Sequence, residues 1–388
     1  MPGEKSRHFG NIRKLGSGRF QARYRGPDGG LRSAPSTFER RSDAARWLTF
    51  REAEIVRGDW IDPESAKIRF GEYAEQWMRD RVLKVRTEEL YRGLLRNHLL
   101  PTFAGMSLGD IDEAAVRSWR KERLNTGKKA KCPFGPVTVA KAYRLLHAIL
   151  TTAVEQDRMM RRNPCRIEGA GKEESVERQT VPLPVVFAIA DAVPVRYRIL
   201  VLLATFADLR WGELAGLRRE NIDLDACEVR IVETVAEPDK GGLLPETPKS
   251  QAGRRTVTFP AELVPELRWH MERFAEPGNR GLVFIGPKGG QLRRGNFLRI
   301  WTKARASVGL PDLHFHDLRH TGGTLAAATG ATVKELMARL GHSSVRAAMI
   351  YQHATKDRDQ AIAKALGGLV REVRRAQDEQ QERRERDA

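Results

Sequence analysis

The sequence predicts a multidomain chain, mainly α-helical with small β-sheets. A small three-stranded sheet plus one helix comes first, then a helical domain, then a mixed α/β, mostly helical domain. Three observations carry this expectation. Short strand-like pieces over 10–15, 19–25 and 31–38 are separated by Gly16-Ser17-Gly18 and by Gly26-Pro27-Asp28-Gly29-Gly30, both strong turn signals. Between 66 and 165 the apolar residues recur at helical spacing instead. Residues 167–180 are polar with two glycines and read as a linker. Domains are therefore expected at 1–62, 66–166 and 181–375, with a charged tail at 376–388.

In the first module a helix follows the strands. Ser42 is placed to cap it, and Ala45, Leu48, Thr49 and Glu52 give it a mixed face. Phe20 and Tyr24 interleave with Arg19, Arg23 and Arg25, so one face of the sheet is expected to present arginines and aromatics. In the second domain Phe70, Tyr73, Ala74, Trp77 and Met78 form a core-facing stripe. A helix over 88–99 is expected to end at Pro101, and one over 113–125 leads into a basic loop with Lys128, Lys129 and Lys131. A long helix from Thr138 carries Ala142, Leu146, Ile149, Ala153 and Val154 and stops before Asn163-Pro164. These stripes read as core, with no cofactor box among them.

The third domain is expected to hold a helix over 195–207 that presents Arg210 at its end, and strands over 227–235 and 255–259 with Lys249 between them. Its chemistry concentrates in 313–353. A helix starts near His316-Asp317 and ends at Gly330, with His316 and Arg319 on one face. Val333, Leu336, Met337 and Leu340 mark the next helix, with Gly341 just past its end, then His342, and Tyr351 nine residues on. A last helix is expected over 357–375, packing on its own chain or docking on a neighbouring protomer. A lone histidine or tyrosine at a helix end is more often structural than catalytic. His314, His316 and His320 have ligand-like spacing, yet no cysteine or acidic residue supports a metal site. What is specific is the order: HxxRHT, then LGHSS, then tyrosine.

Composition bounds the function. The chain has 388 residues, 40% of them hydrophobic, which is enough for two or three cores. Its net charge of +18 points to a polyanionic partner, most simply nucleic acid. The excess is +6 in each of 1–60, 61–175 and 176–388, which suits a protein whose every domain touches DNA. Cys132, Cys165 and Cys227 lie far apart and form neither a disulfide framework nor a zinc motif. The N-terminus has no apolar leader, and the longest largely apolar run, 199–207, is too short to cross a bilayer. The expectation is a soluble cytoplasmic protein, nucleoid-associated when acting, with no membrane partner.

The 313–353 stretch resembles the signature of the tyrosine recombinase (phage integrase) family, HxxRHT…LGHSxxxxxxxYxH. Two upstream strings extend the resemblance. Thr205-Phe-Ala-Asp-Leu-Arg210-Trp-Gly-Glu213 is similar to the family's first-arginine motif, and Thr247-Pro248-Lys249-Ser250 before Arg254-Arg255 is similar to its lysine hairpin. One departure is Asp208, where relatives often have Gly; Asp tolerates a left-handed turn.

The resemblance implies a site-specific DNA recombinase that cleaves and rejoins DNA through a 3′-phosphotyrosyl link, without cofactor or metal. Tyr351 would be the nucleophile. Arg210 and Arg319 would hold the phosphate oxygens, Lys249 protonate the leaving 5′ oxygen, His316 take the tyrosine proton, and His342 donate to the phosphate. Glu213 would orient Arg210. The first module would bind accessory arm sites through Arg19, Arg23 and Arg25, and the helical domain would contact core-site phosphates through Lys128, Lys129 and Lys131. Partners implied are double-stranded attachment sites, a homotetramer on DNA, a directionality factor and a DNA-bending host protein. A type IB topoisomerase and a non-catalytic DNA-binding regulator are the competing readings.

Overall fold

In the computed structural model the described residues are 9–126, 134–173, 178–238, 242–248 and 251–351, with 364, 366–368 and 371 beyond them. The chain divides into two compact units, Met1–Ser175 and Val176–Ala388.

The first unit opens with an antiparallel meander, β1 (Asn11–Lys14), β2 (Phe20–Arg25) and β3 (Leu31–Ser33), followed by α1 (Arg41–Arg57). Strand β3 is shorter than expected. Pro35 has no N–H to give a ladder, and the chain rejoins the sheet only at Phe38, which exchanges two 2.8 Å backbone bonds with Phe20. That bridge delivers the chain at Arg40, so α1 starts at Arg41 with Arg40 as its N-cap. Ser42 therefore lies inside the first turn and is not the cap. The core under this sheet is Ala22, Tyr24, Ala44 and Leu48, joined by partly buried Phe20, Phe38 and Trp47. Side chains alternate along β2, so Phe20 and Tyr24 face α1 while Arg19, Arg23 and Arg25 project the other way. The expected mixed face of arginines and aromatics is thus corrected to an aromatic core face and an arginine face.

The helical part of this unit contains α2 (Phe70–Arg79), α3 (Val85–Leu94), α4 (Leu100–Phe103), α5 (Glu113–Thr126) and α6 (Pro136–Glu155). The buried residues of α2 are Phe70, Tyr73, Ala74, Trp77 and Met78, the stripe read from the sequence. Pro101 does not end the second helix. A π-helical turn, Leu95–Leu99, lies between α3 and α4, and the Leu100 N–H bonds to the Leu95 carbonyl. The wider turn relieves the clash between a proline ring and the carbonyl four residues back, and Pro101 then sits in a first turn that needs no N–H. Helix α6 ends at Glu155, short of Asn163, whose side-chain amide folds back to the His147 carbonyl (2.9 Å) and Thr151 hydroxyl (2.8 Å).

In the second unit α7 (Leu183–Ala192) and α8 (Arg198–Phe206) pack together, and every residue of α8 from Ile199 to Thr205 is buried. After α9 (Trp211–Ala215) come β4 (Ile222–Asp223), β5 (Glu228–Ile231), β6 (Thr234–Ala236), β7 (Leu244–Glu246) and β8 (Arg255–Thr258). They form a sheet in the order β4-β5-β8 and a separate β6–β7 hairpin. Helices α10 (Val264–Arg273) and α11 (Arg294–Ser307) close the core together with Leu318 of α12 (Asp317–Ala328), while α13 (Val333–Leu340) and α14 (Val345–Met349) pack in a separate small cluster of Leu336, Leu340, Ala348 and Tyr351. Gly322 on α12 lets that helix touch α8: a Cβ there would stand 2.0 Å from the Thr205 carbonyl oxygen. The expected helix over 357–375 and the tail over 376–388 lie outside the described residues, apart from the isolated positions named above. Among the described residues no helix is long and apolar enough to cross a membrane.

Candidate active site

Arg210 is positioned by a tight corner between α8 and α9. Asp208 takes φ +53°, the left-handed conformation its short side chain tolerates, and Arg210 becomes the N-cap of α9. Glu213, one turn on, accepts from the Arg210 backbone N–H (2.8 Å) and from its guanidinium (2.9 Å). Arg255 from β8 binds the same carboxylate through two nitrogens, at 2.9 and 3.0 Å. Burial alone would raise the Glu213 pKa. The hydrogen bonds and charges of Arg255 and Arg210 outweigh it and hold the carboxyl below its usual range.

Arg319, in the first turn of α12, is only 2% exposed and donates to the carbonyls of Asp208 and Leu340. Burial, and then the charge of Arg210, bring its pKa down to about 9, so it stays cationic at neutral pH. Arg210 reaches the same Leu340 carbonyl at 3.1 Å, so both guanidiniums converge on the end of α13. That end is set by Gly341 in a left-handed C-cap (φ +60°). Next to it His342 projects with its Nδ1 buried and unbonded. Arg339 on α13 donates from Nε to the fully buried Asp208 carboxylate at 2.6 Å, fastening α13 to the corner that presents Arg210.

Tyr351 follows α14 and is 4% exposed. Its ring stacks on His342 (centroids 6.1 Å, 20°) and lies against Gly323 of α12, where a Cβ would stand 2.9 Å from Tyr351 Cε1. Burial raises the tyrosine pKa, while the charges of Arg319 and Arg210 act to lower it. The hydroxyl lies 2.8 Å from Nδ1 of His320, the residue after Arg319. His316, expected from the sequence to take the tyrosine proton, lies one turn earlier on the chain, with its ring centroid 5.0 Å from that of His320. It is the N-cap of α12, a full turn further from Gly323 than His320 is. His316 and His342 are both pushed down to about 4, mainly by burial among neighbours and then by nearby cationic groups.

The fold thus gathers Arg210, Glu213, His316, Arg319, His342 and Tyr351. Lys249, Lys128, Lys129 and Lys131 lie outside the described residues. Arg19, Arg23 and Arg25 sit together on the first unit's sheet, where Arg19 donates to Thr37 (2.7 Å) and Arg25 to the Gly29 carbonyl (3.1 Å). Sequence reasoning did not single out Arg255, Arg339 or the contact of His320 with the tyrosine. The signals were present only as letters, in the Arg254-Arg255 pair and in the second histidine of HxxRHT.

Three family patterns match the chain in order: "Phage integrase, N-terminal domain" over residues 8–57, "Phage integrase, N-terminal SAM-like domain" over 69–124 and "Phage integrase family" over 183–358. The prophage phiRv2 integrase of Mycobacterium tuberculosis (strain H37Rv) is 43% identical over 372 residues, covering 94% of this chain and 96% of that one. Among solved structures, the Tn1549 transposon integrase in complex with transposon right end DNA gives a TM-score of 0.66 at 20% identity, over 77% of this chain and 100% of that one. A lambda integrase tetramer bound to a Holliday junction gives 0.52 at 17% identity, over 88% and 97%. These two likenesses speak for the fold; the similarity to the phiRv2 integrase along nearly its whole length goes further, and the chain belongs to the tyrosine recombinase (phage integrase) family.

Proposed function

We propose that the chain is a site-specific DNA recombinase that cleaves and rejoins DNA through a 3′-phosphotyrosyl bond at Tyr351. The observation that carries this is the gathering of two arginines and three histidines about one buried tyrosine. A phenol is a poor nucleophile near neutral pH because its ordinary pKa is about 10. It needs cations to stabilise the developing charge and an acceptor for its proton. Arg210 and Arg319 have five N–H donors each, and the carbonyls they now meet are weaker acceptors than a phosphodiester oxygen. In this role Arg210 and Arg319 bind the non-bridging oxygens and His342 donates a further hydrogen bond. Lys249 protonates the departing 5′ oxygen. Because Arg319 and Tyr351 are both covered, entering DNA must uncover them.

The partners that fit are double-stranded attachment sites and four protomers across two duplexes, with a directionality factor and a DNA-bending host protein as accessory proteins acting at the nucleoid. Arg19, Arg23 and Arg25 suit arm-site contacts, and Lys128, Lys129 and Lys131 suit core-site phosphates; such contacts position a protein without reading sequence.

The test is SDS-resistant adduct formation in EDTA on DNA flanking the gene, with wild type beside Tyr351→Phe. Wild type is expected to form the adduct and the variant to bind DNA without forming it. An adduct with Tyr351→Phe sinks the assignment, and relaxation of plasmids lacking any target site shifts the reading to a topoisomerase. Lys249→Ala should be slow on ordinary DNA and recover on a substrate with a 5′-thio leaving group.

A further inference from the structure

Within the reaction proposed above, on which this inference rests, the tyrosine proton needs a destination. We propose that His320 is a catalytic residue, the group that accepts the Tyr351 proton as the hydroxyl attacks phosphorus. The contact is direct, at 2.8 Å from Tyr351 Oη to His320 Nδ1. A phenol carries one hydroxyl proton, and a neutral imidazole has one acceptor nitrogen. The seat for this contact is built into α12. His320 and Gly323 are three residues apart and share a face. With no Cβ at 323 the tyrosine ring lies along the helix and its hydroxyl reaches back one turn.

His316 completes the arrangement. Its ring stands nearly perpendicular to that of His320, 5.0 Å away, and two imidazoles that close disfavour each other's protonated forms. Burial first, with the charges of Arg178 and Arg319, lowers the His320 pKa against the opposing pull of Asp317, so His320 enters the reaction neutral. The two histidines divide the work: His316, at the N-cap of α12, is left for the phosphate, and His320, in contact with the tyrosine hydroxyl, takes the proton.

The step balances without another reactant. The Tyr351 O–H bond breaks and its proton passes to His320 Nδ1. The Oη–P bond forms, the P–O5′ bond breaks, and the 5′ oxygen takes a proton from Lys249. Rejoining reverses each transfer: His320 returns its proton to the phenolate as the 5′ hydroxyl attacks.

The experiment is single-turnover adduct formation on DNA that wild type cleaves, using His320→Ala and His320→Gln. Glutamine keeps an acceptor for the hydroxyl but cannot take its proton. Both variants should lose on the order of 10²- to 10⁴-fold in rate, the usual contribution of a positioned base, and keep their gel-shift affinity. Difluorotyrosine at position 351, with its more acidic phenol, should restore much of the rate; a 5′-thio substrate should not, because it relieves the opposite end of the reaction. Adduct formation by His320→Ala at the wild-type rate or faster would overturn the assignment, as would a slow variant that difluorotyrosine fails to restore. No adduct from wild type itself would instead overturn the recombinase reading beneath it.

Discussion

One carboxylate holds two guanidiniums in place. Glu213 and Arg255 are each 5% exposed as side chains, and Arg210 shares the same carboxylate. Glu213→Gln keeps the volume but removes the charge, and its amide hydrogens would face the guanidinium donors of Arg255. Breaking a buried pair from one side costs about 3–5 kcal/mol. The expected outcome is a lower urea midpoint and slower adduct formation, since Arg210 loses its orientation; an unchanged midpoint would show that the pair is not supporting the fold. Glu213 was legible in the sequence because its partner Arg210 is three residues away on one helix turn. Arg255 was not, since its partner lies 42 residues off in the chain and is met only after β8 pairs with β5. His320 is the same kind of case: a motif fixes which residues are present, while contact with Tyr351, 31 residues on, is decided by how α12 packs.

At the level of elements, α12 and α13 are held by opposite devices, a missing side chain and an added ion pair. Gly323→Ala places a methyl 2.9 Å from the Tyr351 ring. Overpacking of this kind costs about 1–3 kcal/mol, and displacing the ring carries the hydroxyl off His320. Adduct formation should fall sharply with DNA binding retained; wild-type rates from this variant would show that the ring does not need its seat. On α13 the device is Arg339 with Asp208, at 2.6 Å. Burial pushes the Asp208 carboxyl up, and the charges of Arg339, Arg319 and Arg255 oppose that. In Arg339→Ala the largest opposing charge is gone, so the folded pKa rises further above the unfolded one. A carboxyl shifted upward favours folding at low pH and loses that advantage as pH rises through its folded pKa. The variant's deficit against wild type, read from urea midpoints, should therefore be larger at pH 7 than at pH 5. A deficit independent of pH would mean that Arg339 acts through packing or its other bonds. The helical stripes were readable because 3.6-residue periodicity is local, as in α2. The π turn before Pro101 was not, because proline normally ends a helix and only the packing of Leu94, Leu95 and Leu99 into the core makes the wider turn worthwhile.

For the whole molecule, the net charge of +18 and the histidines at the site bear on one question, the stability of a DNA-binding protein without its DNA. His316 and His342 are pushed from 6.5 down to about 4, and buried His98 and His270 are also lowered. A histidine depressed on folding binds its proton more readily in the unfolded chain, so it contributes stability above about pH 6.5 that is lost as pH falls toward its folded value. Self-repulsion of a strongly basic chain works in the same direction. The DNA-free protein should melt at a lower temperature at pH 5 than at pH 7. Replacing both His316 and His342 by Gln should shrink that acid loss without abolishing it, because His98, His270 and the net charge remain. An undiminished loss in the double variant would place the acid sensitivity elsewhere in the chain. A bound phosphodiester reverses the balance, since its negative charge stabilises protonated histidines and repays the crowding of Arg210 and Arg319. Cognate DNA should accordingly raise the melting temperature more at pH 5 than at pH 7, and by less in the double variant, as thermal melts with and without the duplex would show.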